Sequence, residues 1–129
     1  MKLQDVSDYV KSLGIAEHVY MGMLPDKPDK AIGVYNSKRE RAYRTAIGGS
    51  ELQSYGTKEV TILVHWNKSL RDTEAAAEEL FHALEAARDV EINGQKIKFI
   101  QPLYEIQDVG TDDAGVREMV IEVAVIYER

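Results

Sequence analysis

Two stretches of this chain alternate apolar and other side chains strictly enough to limit what the rest can be. Between Lys58 and Trp66, one face of an extended chain carries Val60, Ile62, Val64 and Trp66, and the other carries Thr61, Leu63 and His65. Between Arg117 and Tyr127, Met119, Ile121, Val123, Val125 and Tyr127 fall on one face, opposite Val120, Glu122, Ala124, Ile126 and Glu128. A period of two is the signature of a β-strand. With apolar residues on both faces, the first of the two is expected to be central. A strand cannot bury its apolar face alone, so a second layer is required. The segment after Asp72 and Thr73 offers it: Ala76, Leu80, Phe81, Leu84 and Ala87 form one helical stripe, while Glu74, Glu78, Glu79 and Glu85 lie on other faces. Asp72 or Thr73 is the expected N-cap, and the acidic first turn suits the positive end of the helix dipole.

The remaining elements fit around that pair of layers. Leu3, Val6, Val10 and Leu13 recur at three- and four-residue spacing and predict a short amphipathic helix, stopped at Leu13-Gly14-Ile15 by a glycine suited to the left-handed cap. Short strands are expected at His18–Gly22 and Ala31–Tyr35, separated by a turn at Pro25–Asp29. Asn93-Gly94 between Val90–Ile92 and Lys96–Phe99 is a strong hairpin signal, because both residues tolerate positive φ. Ile100 to Ile106 continue as strand, with Pro102 marking an edge or a bulge. Asn36 to Gly56 loses all periodicity and reads as a long loop or arm, with Gly48-Gly49 as a hinge. The expected fold class is α+β: a single domain over residues 1–129, with a mixed or antiparallel β-sheet and two helices packed mainly on one face.

Composition narrows the function. The chain has 129 residues and no cysteine, which removes disulfides, thiolate metal sites and thiol catalysis. Its 22 acidic and 16 basic residues give a net charge of -6, which opposes general adhesion to nucleic acid or anionic membranes. Neither a signal peptide nor an apolar run of membrane-spanning length is visible, and folding in the cytoplasm is expected. His18, His65 and His82 stand too far apart in sequence to form a ligand motif, and His65 reads as a packed or hydrogen-bonded core histidine. Asp108 to Gly115 is acidic but lacks calcium-loop spacing, and reads as a turn between two strands. No phosphate loop, nucleophile elbow or acid/base pair can be assembled. The expectation is a protein without catalytic residues, cofactor or metal.

One segment breaks the acidic balance. Lys38-Arg39-Glu40-Arg41-Ala42-Tyr43-Arg44 carries four cations and one carboxylate, and the rest of the chain then holds 12 basic and 21 acidic residues, a net -9. Arm and body are of opposite sign. A solvated arm and an arm that contacts a neighbouring subunit both fit, and base-specific recognition of DNA fits less well. Lys38, Arg39, Arg41 and Arg44 are the candidate subunit-interface residues.

The order of these elements resembles that of the bacteriophage and prophage minor capsid proteins, which in turn resemble phage tail terminator proteins. The residues that carry it are the first helix ending Leu13-Gly14, Val19 to Pro25, Ala31 to Tyr35, and Val60 to Trp66. Thr73 to Ala77 opening the main helix, Gly110-Thr111-Asp112, and the closing Val125-Ile126-Tyr127 complete the set. The resemblance implies a non-enzymatic virion subunit, monomeric alone and hexameric in the particle. It would form a ring at the head–tail junction, stop tail-tube growth, and dock on the tail tube protein and the head connector. A small dimeric ligand-binding or regulatory domain is the alternative, and it would need a pocket with convergent polar groups. Because no ligand cluster can be built from the sequence, protein purified without chelator is expected to carry no stoichiometric metal. Its melting temperature should not change on chelation; elemental analysis and a thermal melt check both.

Overall fold

The computed structural model describes residues 1–24, 29–38, 47–49 and 54–129. Among these the elements are α1 (Leu3–Ser12), β1 (His18–Met21), β2 (Ala31–Asn36), β3 (Tyr55–His65), α2 (Leu70–Ala86), β4 (Arg88–Ile92), β5 (Gln95–Pro102), β6 (Gln107–Thr111) and β7 (Arg117–Glu128). The strands form one mixed sheet in the order β1-β2-β3-β7-β5-β4, with β6 also paired to β7. Only β1 and β2 run parallel. The class is α+β, as the alternation and the helical stripe predict.

The two strictly alternating stretches are the centre of this sheet. β3 and β7 pair antiparallel without a slip from Tyr55 opposite Glu128 to His65 opposite Glu118. That register aligns their apolar positions. Ile62 lies opposite Ile121 and Val64 opposite Met119, and β2 continues the same rows with Val34 and Ile32. β3 starts at Tyr55, so the last two residues of the expected arm belong to the strand.

Along the other edge of β7 the chain is interrupted. β5 pairs with Val123 to Tyr127 and β6 with Arg117 to Val120, while residues 103–106 step out between them. The Leu103 N–H still donates to the Glu122 carbonyl at 2.8 Å. The expected continuous strand to Ile106 therefore ends at Pro102, and the segment expected to be a turn begins as β6, leaving only Asp112–Gly115 to turn. The edge reading of Pro102 is explained by β4, which reaches only as far as Phe99 and asks no backbone donor of residue 102. Asn93 and Gly94 both take positive φ, at 50° and 77°, in the hairpin between β4 and β5.

Both helices cover one face. Val6, Tyr9 and Val10 of α1 and Ala76, Ala77, Leu80 and Leu84 of α2 join Ile32, Val34, Val60, Ile62, Val64, Ile97, Ile121, Val123 and Val125 in one buried cluster. α1 touches β1 and β2 at one end of the strand order and β4 at the other, so the sheet curls around it. The Asn93 side chain fastens that curl, donating to Asp5 Oδ1 at 3.1 Å and Asp8 Oδ2 at 2.8 Å. Partial burial alone would raise the Asp5 carboxyl. The hydrogen bonds from the Lys2 backbone and Asn93 outweigh it and hold the group below its ordinary range.

Two local expectations are corrected. The N-cap of α2 is Ser69, whose Oγ accepts from the Asp72 N–H at 3.2 Å, and not Asp72 or Thr73. Apolar periodicity marks only where the helix becomes buried. The cap lies one turn earlier, and Thr73 is instead a buried residue whose hydroxyl donates back to the Ser69 carbonyl at 2.8 Å. Phe81 is only partly buried, whereas Leu80 is fully so. Leu80→Ala is therefore expected to cost about 2–5 kcal/mol in urea unfolding, and Phe81→Ala well under the roughly 3–5 kcal/mol of a fully enclosed phenylalanine.

Candidate assembly interface

The face of the sheet away from the helices is organised differently. Cross-strand rows there read Ala31–His65–Glu118, Gly33–Leu63–Val120 and Tyr35–Thr61–Glu122. Tyr35 lies back over Gly33 so closely that a Cβ there would sit 2.7 Å from Tyr35 Cε2, and on the opposite, helix-side face Tyr127 covers Gly56 in the same way. Each strand glycine leaves the space that a ring occupies. Burial first, and then the charge of Glu118, push the Tyr35 hydroxyl above its ordinary range.

His65 is fully buried in this face, as its reading as a core histidine requires. Its Nδ1 stands 2.9 Å from Glu118 Oε2 and its Nε2 3.7 Å from Asp112 Oδ2. Asp112 belongs to the acidic stretch that lacks calcium-loop spacing, and it serves the turn itself: Oδ1 accepts from the Ala114 N–H at 2.9 Å and the Val116 N–H at 3.0 Å. His18 is stacked beside Tyr20, and His82 pairs with Glu85 on the exposed side of α2, so the three histidines do not converge. Among the described residues no group of three His, Asp or Glu side chains is placed to hold a metal ion.

The structure places the four candidate arm residues unevenly. Lys38 is exposed just beyond β2; Arg39, Arg41 and Arg44 lie outside the described residues. Both ends of the arm leave from one end of the sheet. There Lys58 Nζ donates to Asn36 Oδ1 at 2.9 Å, and the Arg129 N–H donates to the Ser54 carbonyl at 3.1 Å. Opposite in sign is the outer side of α2, where Asp72, Glu74, Glu78, Glu79 and Glu85 are exposed beside Arg71.

At the level of Leu63 the sheet is bordered by β1 on one side and β6 on the other. These borders differ. β1 ends in exposed Met21 and continues to exposed Met23, while β6 exposes Val109, with Tyr104 just before it. The β6 border is also blunted, because the register slips between Asp108 and Gly110 and Asp108 Oδ1 takes the Gly110 N–H at 2.9 Å. Sequence periodicity gave no sign of β6, since Gly110 and the slip break its alternation.

This helix-backed, curled sheet is matched by a known group: residues 3–129 fit the family described as bacteriophage tail terminator protein. The chain belongs to the tail terminator family. It is thus a structural tail protein of the phage type, and the terminators are the second of the two groups that its sequence resembles. Among solved structures, a chain of the virion of a native gene transfer agent particle is similar at 17% identity and a TM-score of 0.60. The likeness covers 93% of this terminator and 84% of that chain, and at this identity it shows a shared fold. A second solved chain is 18% identical over 97% of the terminator and 87% of its own length, with a TM-score of 0.44. No curated protein matches the sequence.

Proposed function

We propose that this terminator caps the tail tube at the head–tail junction as a closed ring of copies, six in the assembled particle. It folds in the bacterial cytoplasm, enters the virion there, and works without catalysis. The observation that carries the reading is the family match across residues 3–129. Two features of the molecule support it. A ring needs two different surfaces on each subunit that fit one another, and the β1 and β6 borders carry different exposed residues on opposite sides of one sheet. The chain also joins a basic segment to an acidic body, which favours contact between unlike parts of neighbouring copies.

Lys38, Arg39, Arg41 and Arg44 are the proposed contact residues of that segment, and the carboxylates exposed along α2 are its proposed counterpart on the next subunit. The remaining faces of the ring are left for the tail tube protein on one side and the head connector on the other.

Concentration-dependent mass measurement and electron microscopy test the reading. Monomers at low concentration should pass into rings as concentration rises, and added salt should weaken the rings. Replacing the four basic residues with glutamate should abolish assembly while the melting temperature hardly moves, since exposed charges contribute little to folding. Normal rings from that variant would remove the arm from the interface. A dimer at every concentration would favour the small-domain alternative over ring assembly.

A further inference from the structure

We propose that Asn93 is a modification site, a latch between the β4–β5 hairpin and α1 that opens when its side-chain amide is lost as ammonia. Asn93 and Gly94 are the two turn residues of the hairpin, and both are exposed. Asn93 Nδ2 donates to Asp5 Oδ1 at 3.1 Å and to Asp8 Oδ2 at 2.8 Å. An amide NH2 carries two hydrogens, so both are spent on carboxylates of α1. The other Asp5 oxygen serves the helix itself, accepting from the Lys2 N–H at 2.9 Å. The hairpin is thus tied to α1 by one neutral donor between two acids.

The residue after Asn93 supplies the reaction. The Gly94 backbone nitrogen attacks Asn93 Cγ, forming a C–N bond while the Cγ–Nδ2 bond breaks. Ammonia leaves, taking the proton displaced from Gly94. Water then opens the resulting five-membered imide at either carbonyl and yields aspartate or isoaspartate. No oxidant or other reactant is consumed. Gly94 has no side chain to crowd the ring, and the space where a Cβ would stand is open. Among the described residues its N–H has no acceptor. Aspartate at this position is an acceptor in place of a donor, and it sets a third negative charge against Asp5 and Asp8. Isoaspartate also lengthens the backbone of a two-residue turn that has no slack, since Ile92 and Gln95 on either side of it are paired. Either product releases the hairpin from α1 and unfastens the curl of the sheet.

Ageing the purified protein in mildly alkaline buffer, followed by peptide mapping that separates aspartate from isoaspartate, reads the site. The exchange of NH2 for OH should accumulate several-fold faster at Asn93 than at Asn36 and Asn67, which are followed by Ser37 and Lys68. In amide hydrogen exchange, Asn93→Asp should lower the protection of Ile92 and Gln95 roughly three- to tenfold and leave that of Ile62 and Ile121 level. Adding Asp8→Asn returns a donor to the contact and should recover most of the loss. Aged parent protein should lose the same protection in proportion to its modified fraction. Modification at Asn93 no faster than at Asn67, or equal hairpin protection in modified and unmodified protein, would overturn the latch.

Discussion

The unbroken pairing of β3 with β7 is the constraint on which the molecule depends. With a side-chain period of two, a slip by one residue would send Val60, Ile62 and Val64 to the outer face and bring Thr61, Leu63 and His65 under the helices. The fully buried row residues Ile62 and Ile121 leave no room for that exchange. Once the register is set, β2 follows on one side and the interrupted β5–β6 arm on the other, and both helices find their apolar floor.

Unequal faces follow from the same register. The inner face is closed by aliphatic side chains from two helices and needs no polar device. Among the described residues no helix packs on the outer face, which is covered locally by the Tyr35 ring lying over Gly33 and by a histidine between carboxylates. These are compact ways of filling a sheet surface, and they leave its borders open to partners. Curling around α1, held by Asn93, draws β1 and β4 towards the same helix and limits the open border to short strands.

For the proposed ring this division has a physical logic. A closed ring requires contacts that differ in kind on the two sides of each copy, or copies would pair face to face and stop at two. Short borders with different exposed side chains, together with a basic segment joined to an acidic body, would supply that asymmetry in the proposed ring. None of it requires a pocket, which agrees with membership in a family of structural tail proteins.

Periodicity and turn chemistry determined the class, the central strand, both helices, the Asn93-Gly94 hairpin and the cap at Gly14, because each rests on residues adjacent in sequence. The packed state of His65 was also legible, as a histidine within an alternating strand. Only the tertiary structure decided who its partners are: Glu118, 53 residues further along the chain, and Asp112 of the turn before β7 are brought beside it by the β3–β7 register. It likewise decided that Ser69 caps α2, that Leu80 and not Phe81 is enclosed, and that β6 exists. Each of these depends on what lies across the sheet, and a one-dimensional pattern records burial along an element but not the neighbour that produces it.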